Sequence, residues 1–461
     1  METSTNLTFS PGFKRLLSVI AALIGVIGIK RIVESFFAPE IYRKDFIQEY
    51  LMAKAILKGV NPYLPLPDLA SLCLSVADYN NVANYNVLKH PTPHSPVVGL
   101  LSLPLGFLSY EKAAIVWLVF ELACLLIAIC LVLRWWGKPF KAATAVALLG
   151  IALGWMPVIE DLWLGQLGAC LLPLLLGAWL ALRAERNVLG GALLGGVIAL
   201  KLMAWPIVIF LALRRKWGGV VAAVVVAVVT NLLAMAALGV NCVKNYYFNI
   251  GPQIAAAYRS HDCNYSSWTL GERLFAGYGY HFAVPPLWPS ATLASIGAYV
   301  VPSVILLFGL ALALRASNFD TAFGLLIGVG ILVNPVAWTH YLILAAIPIA
   351  IIARRLWEMG FPKRMSYLAF CLWLPSMVNN GGLAHFALLF TILTTPEGVH
   401  VIPAAAGLLT LIPAVALIGL LWLVWRLDRA PQGRGATGSE LNRLSDRTDT
   451  TLGIAVEGYR I

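Results

Sequence analysis

Long apolar runs recur along almost the whole of this chain, and they constrain its fold more than any other feature. "AIVWLVFELACLLIAICLVL", residues 114–133, carries a single charged side chain, Glu121. A hydrocarbon core of about 30 Å takes about 20 such residues as a helix, because every backbone N–H and C=O must find its partner within the segment. Of the 461 residues, 60% are hydrophobic and 12% are charged. A soluble fold has too little interior to hide that much apolar surface. The composition therefore points to an all-α polytopic membrane protein.

The net charge of +11 raises nucleic acid as a partner, but the basic residues sit in short clusters between apolar runs, where cytoplasmic loops carry them. No nucleic acid is expected. The clusters are Arg134–Lys141, Arg183–Arg186, Arg214–Lys216, Arg315 and Arg354–Arg364. They share one side of the membrane if "HSPVVGLLSLPLGFL" (94–108), broken by Pro96 and Pro104, lies in the interface or folds back instead of crossing. The spans are then roughly 16–36, 112–133, 142–158, 166–183, 188–200, 202–213, 217–239, 292–314, 319–333, 338–353, 365–378 and 402–425. That is about twelve, with both termini cytoplasmic and the first span retained.

Two of these, 188–200 and 202–213, are too short for straight crossings and meet at Lys201, which suggests a hairpin around a buried cation. Large external segments remain at about 37–111 and 240–291, with smaller ones at 159–165, 334–337 and 379–401. Residues 1–425 are expected to form one transmembrane domain. The end of the chain, 426–461, is rich in Gly, Ser, Thr and Arg beyond Arg429 and is expected to be a disordered cytoplasmic tail.

The stretch after the first span is unusual. Between Phe46 and Lys58, the apolar residues Phe46, Tyr50, Ala53 and Leu57 fall at helical spacing, and Gly59 and Pro62 end the pattern. This predicts an external helix lying on the membrane surface, with Lys54 and Lys58 snorkelling toward lipid phosphates. Asp45, with Gln48 three positions on, matches a helix-capping box. It also suits a general base at the mouth of a site, where partial desolvation raises its pKa. The two readings are compatible.

Seven Cys residues lie scattered, with no CxxC pair and no Cys/His group at zinc spacing, so no metal and no disulfide framework is expected. Cys242 and Cys263 share an external segment and could pair. His90 and His94 stand four apart, but Pro91, Pro93 and Pro96 forbid the regular helix that a zinc half-site would need.

"DFIQEYLMAKAILKGVNPY" (45–63) resembles the D-F-x-x-Y-x-x-A-x-x-x-L-x-G-x-x-P-Y signature of glycosyltransferase family 87, membrane mannosyltransferases of GT-C type that use polyprenyl-phosphate sugars. Four further pieces agree in order. "PVIEDLWLGQLGACLLPLLL" (157–176) is similar to E-x-x-x-x-GQ-x-N, and "GALLGGVIALKLMAWPIVIFLALRRKW" (191–217) to AG-x-LLG-x-A-x-x-K-x-x-P. "CNYSSWTLGERLF" (263–275) resembles N-x-S-x-x-x-x-x-x-R, and "LVNPVAWTHYLIL" (332–344) resembles S-P-x-S-W-x-H-H. Gly168 stands where the family often has Asn, Asn334 replaces Ser, and Tyr341 replaces the second His.

The resemblance implies transfer of a sugar, mannose in that family, from a polyprenyl-phosphate donor to a lipid or glycan acceptor at the outer face of the plasma (inner) membrane, with inversion. It implies no cofactor. Asp45 would be the base; Lys201, His340, Arg273 and Asn264 would bind the donor; Glu160, Asp161, Gln166, Tyr63 and His94 would orient substrate. An ionisable residue within apolar sequence points to function by default, which favours Lys201. The alternatives are a lipid-linked sugar transporter or flippase, suited by the short helices near Lys201, and a polysaccharide ligase with a diphosphate donor.

Overall fold

The computed structural model describes residues 11–85, 90–137 and 142–430. Helix α1 (Pro11–Glu34) leads into a small helical group, α2 (Ile47–Leu57), α3 (Leu66–Cys73), α4 (Val76–Tyr85) and α5 (Pro96–Ser102), followed by the long α6 (Tyr110–Trp135). Then come α7 (Ala142–Ala152), α8 (Met156–Leu164), α9 (Gly168–Arg183), α10 (Asn187–Leu200), α11 (Trp205–Leu213) and α12 (Trp217–Leu238). Short helices α13 (Val240–Asn245), α14 (Gly251–Ala257) and α15 (Leu270–Phe275) precede α16 (Ala291–Leu314), α17 (Phe319–Leu332) and α18 (Ala346–Glu358). The described chain ends with α19 (Lys363–Trp373), α20 (Asn380–Ala387), a two-residue antiparallel ribbon of β1 (Leu393–Thr394) and β2 (His400–Val401), α21 (Ala404–Gly407) and α22 (Ile412–Asp428). The molecule is an all-α polytopic membrane protein.

Among the described residues, five helices are each long and apolar enough to cross a bilayer, and the bent pair α7–α8 makes a sixth; several other apolar helices are only 10–17 residues long. The expected span at 142–158 is not straight. Its helix stops at Ala152 and resumes at Met156 after a bend of 80°. Pro157 sits in the first turn of α8, where a missing N–H costs nothing. A Cβ at Gly154, inside the break, would come within 2.5 Å of Ile24 on α1. Glu160 and Asp161 consequently lie on a helix, not in a short external turn.

Two further expectations are corrected here. Helix α2 is more enclosed than an amphipathic surface helix: eight of its eleven residues are buried, and it packs against α3, α5 and the 3-10 turn Leu103–Phe107. Residues 94–108 fold back onto it, with Gly99 and Gly106 meeting Met52, Ile56 and Leu57 side chains. Lys58 donates to Leu72 O at 2.8 Å and Lys54 stands 5.5 Å over the Tyr50 ring. Cys242 and Cys263 form no disulfide. The expected tail beyond Ala430 lies outside the described residues, while α22 continues to Asp428, which accepts from the Ser317 N–H and the Thr321 hydroxyl at 2.8 and 3.0 Å.

Helices α10 and α11 meet at Lys201 as expected for the hairpin, and α12 packs along α10. Gly191 faces Gly219 and Gly195 faces Ala223, so α10 and α12 run parallel, and α11 returns between their ends. The lower ends are tied together. Arg183 pairs with Asp320 at 3.2 Å, Lys216 with Glu185, Arg214 with Leu314 O at 2.8 Å, and Arg354 with Trp135 O at 2.9 Å. Basic clusters that are far apart in sequence thus gather at one pole, and Lys201 projects at the other.

Gly191 decides how close α10 and α12 come, since a Cβ there would lie 2.0 Å from Gly219 O. Gly→Ala inside a helix normally stabilises by about 1 kcal/mol, but overlap with backbone costs about 1–3 kcal/mol. Gly191→Ala is therefore expected to lower the melting temperature of the detergent-solubilised protein; a rise would show that propensity wins.

Candidate functional site

The site is built on the end of α8. Gly165 terminates this helix in the left-handed conformation, at φ 72°, which glycine adopts without strain. It also makes room: a Cβ there would come within 2.7 Å of Phe46 Cβ. The segment 44–46 docks into that gap. Lys44 Nζ donates to the carbonyls of Leu162 and Trp163 at 3.3 and 2.7 Å, satisfying acceptors that a helix end leaves open. The Phe46 N–H donates to Leu164 O at 3.0 Å, and Trp117 Nε1 donates to Gly165 O at 3.0 Å. Gln166, the next residue, then donates from Nε2 to Asp45 Oδ2 at 2.8 Å.

This corrects the capping box. Phe46 occupies the N-cap position of α2, with no side-chain cap. The Asp45 carboxylate points away from the helix, to Gln166, and stays partly exposed. Burial pushes its pKa above the usual carboxylate value, while the Gln166 hydrogen bond and the charge of Lys201 act in the opposite sense.

Lys201 occupies the break between α10 and the following 3-10 turn, in extended backbone. Its ammonium lies 3.6 Å from the centroid of the Tyr341 ring, a close cation–π contact. Tyr341, marked in the sequence only as a departure from the family pattern, is thus what holds the cation. Next to it, His340 is 4% exposed and neither ring nitrogen has a partner. The charge of Lys201 acts on Asp45, Glu49, His94, Asp161 and His340. The structure brings these residues together from five separate stretches of sequence.

Glu49, which sequence reasoning missed, stands one helical turn beyond Asp45. Its Oε1 is 3.0 Å from His94 Nε2, without the alignment of a hydrogen bond. Burial pushes the Glu49 carboxyl well up; burial, then the Lys201 charge, takes His94 down to about 3. Both shifts favour the uncharged forms of this close pair. Tyr63 donates to His94 O at 2.9 Å and stacks on Tyr246, 5.1 Å away, so it positions His94. His90 Nδ1 lies 2.7 Å from Pro91 O, leaving Nε2 to accept from the Tyr258 hydroxyl at 2.7 Å.

Other expected contacts are spent on structure. Asp161 accepts from the N–H groups of Gly168 and Ala169 at 3.0 and 2.7 Å and so caps α9. Glycine is needed at position 168, since a Cβ would come within 2.3 Å of Asp161 Oδ1; the Asn common in the family would not fit this arrangement. Asn264, expected to bind donor, is fully buried. It donates to Tyr258 O and Pro335 O at 3.0 and 3.1 Å and accepts from Ser266 N and Ala337 N at 3.0 and 2.9 Å. Arg273, 1% exposed, donates to Thr269, Thr410 and the carbonyls of Asp262 and Asn264 at 3.2, 2.6, 2.8 and 2.8 Å. Both residues clamp the loop that carries them instead of facing the cluster. Glu160 meets Thr339 and keeps Oε2 without a partner. On α6, the fully buried Glu121 has no partner at either oxygen; it interacts electrostatically with Lys44 and Asp161, and a lone acid in an apolar run was the signal for it.

Gly165→Ala is expected to destabilise the protein by about 1–3 kcal/mol, because a side chain there is strained by φ and overlaps Phe46. Thermal unfolding in detergent checks this, and an unchanged melting temperature would mean that segment 44–46 does not dock on α8 in this way.

The chain is similar to proteins of known activity. It is 32% identical over 139 residues to an α-(1→3)-arabinofuranosyltransferase of Mycobacterium tuberculosis, in strains CDC 1551 and H37Rv alike, covering 30% of this chain and 32% of the relative. The match thus spans about a third of the length of these curated relatives. No solved structure matches the chain. The glycosyltransferase family 87 model matches residues 93–335, more than half of the 461 residues. The chain belongs to glycosyltransferase family 87.

Proposed function

We propose that this protein transfers a sugar from a polyprenyl-phosphate donor to a hydroxyl of a lipid or glycan acceptor, with inversion, using Asp45 as general base. The observation that carries the reading is the Asp45 carboxylate, fixed by Gln166 and partly exposed, within the field of Lys201. Asp45 takes the acceptor's proton as the acceptor oxygen bonds to the anomeric carbon. The bond from that carbon to the phosphate oxygen breaks, and its electron pair leaves with polyprenyl phosphate.

Lys201 and the unpartnered nitrogens of His340 meet the phosphate charge. A phosphate whose charge is met needs no second carboxylic acid to protonate it. Glu160, Glu49, His94 and Tyr63 orient sugar and acceptor. Mannose follows from the family resemblance, while the curated relative is named for arabinofuranose; both are carried by the same class of donor in this reading.

The transferase domain runs through Asp428. By the positive-inside rule the basic pole faces the cytoplasm, so both termini are cytoplasmic and the site opens on the outer side of the plasma (inner) membrane.

Membranes containing the protein are to be fed polyprenyl-phosphate mannose and polyprenyl-phosphate arabinofuranose. Transfer with release of free polyprenyl phosphate is expected; a lipid sugar moved intact would make the protein a transporter. Asp45→Asn should reduce turnover by about 10²–10⁴-fold with donor binding kept. Because the Asp45 pKa is raised, the acid limb of kcat/KM should lie above the ordinary carboxylate range, with activity lost as pH falls through it. Unaltered turnover in Asp45→Asn rules out its role as base.

Lys201→Ala should weaken donor binding about 10–100-fold, the worth of a hydrogen bond to a charged group, and leave acceptor binding nearly unchanged. Titration with each lipid separates the two. Equal loss for both would place Lys201 outside the phosphate site.

A further inference from the structure

A line of aromatic rings that the proposed reaction does not use runs from the Asp45 cluster to the surface. Tyr258, Trp338, His261 and Tyr280 follow one another with ring centroids 5.4, 4.8 and 4.4 Å apart. The inner end lies beside the base: the Tyr258 hydroxyl donates to His90 Nε2 at 2.7 Å, and the Asp45 charge acts on Tyr258. Between the ends the rings are partly exposed. The outer end is open, with Tyr280 74% exposed while Tyr278 and Phe282 on either side of it are buried.

The outer ring is held in place by its turn. Tyr278 and Val284 exchange N–H to carbonyl hydrogen bonds at 3.1 and 2.8 Å, and the Gly279 N–H donates to Ser260 O at 2.9 Å. Glycine at 279 allows this closure, since a Cβ there would fall 1.8 Å from Phe282 O. Tyr280 is thereby stacked on His261 at an interplanar angle of 20°. A ring fixed in advance loses little entropy when a ligand meets it. His281, exposed, stands 5.0 Å from Tyr280, and His385, also exposed, 6.2 Å from His281.

Tyr and Trp also gather in the interfacial belts of membrane proteins, but a belt residue faces lipid and has no reason to continue inward. This line leads to Asp45. The donor is held by its phosphate at Lys201 and His340, so the molecule that must bring a hydroxyl to Asp45 from outside is the acceptor. A saccharide offers C–H faces that settle on aromatic rings, and hydroxyls that the imidazoles at the rim can bond. We propose that Tyr258, Trp338, His261 and Tyr280 form an extended subsite for an oligosaccharide acceptor, seating the sugars behind the one whose hydroxyl reaches Asp45. The subsite rests on the transferase reading above and narrows its acceptor to a glycan of several residues.

The full chain in detergent is to be titrated, without donor, with methyl glycosides of mono-, di-, tri- and tetrasaccharides of α-linked mannose and of α-linked arabinofuranose. Affinity in one series is expected to rise about tenfold from mono- to tetrasaccharide, and Tyr280→Ala should weaken tetrasaccharide binding about 3–10-fold while leaving the monosaccharide unchanged. Tyr280→Phe, which keeps the ring, should bind as the parent chain does. No binding, a flat length dependence in both series, or an equal loss for short and long glycans in Tyr280→Ala would each overturn the subsite. A length dependence that Tyr280→Ala leaves intact overturns it too and places Tyr280 in an interfacial belt. Because donor is absent from the titration, the two readings fail separately: length-dependent binding by a chain that transfers no sugar refutes the reaction and keeps the glycan surface.

Discussion

The contact between segment 44–46 and the end of α8 organises the rest of the molecule. A helix end leaves carbonyls unsatisfied, and at α8 three of them are met from outside the helix, two by Lys44 Nζ and one by the Phe46 N–H. That docking requires glycine at 165, both for its left-handed turn and for the space beside Phe46. Gln166 is then placed opposite Asp45. The Gly-Gln pair thus has two separate physical duties, one steric and one polar, and the carboxylate is fixed by the backbone around it.

The buried polar groups on this pole fall into two sets. Asp161, Asn264 and Arg273 have their hydrogen-bonding capacity taken up by backbone and hydroxyl partners, and they hold helices and loops in place. His340, Glu160 and Glu49 retain atoms with no partner. Burying a polar atom without a partner costs free energy, so groups left in that state in one cluster mark where a ligand's polar atoms belong. Lys201 lies between the groups. Its ammonium rests on Tyr341, which lowers the cost of its burial without using up its hydrogen-bond donors.

The sequence misled where one residue served two local patterns. Asp45 and Gln48 have the spacing of a capping box, yet a partner 121 residues away takes the carboxylate. Helix α2 has apolar residues at helical spacing, yet its polar residues are buried too, because the folded-back 94–108 segment covers what would be its wet face. Arg273 and Asn264 were drawn in by family resemblance, and packing around Thr410 and Pro335 shows them to be clamps. Glu49 carried a local signal, an acid within the quoted segment, but its neighbour His94 joins it only through the fold.

What the sequence determined by itself was the class of the chain and the order of its helices. Apolar length and the demand for internal backbone hydrogen bonds leave few choices in a membrane, and the break at Lys201 was legible because two runs were each too short. What the tertiary structure decided was which charged groups meet. Side-chain partners from residues 45, 94, 161, 166, 201 and 340 are chosen by helix ends, glycine contacts and bends such as that at 153–155, and these are three-dimensional facts that spacing along the chain does not encode.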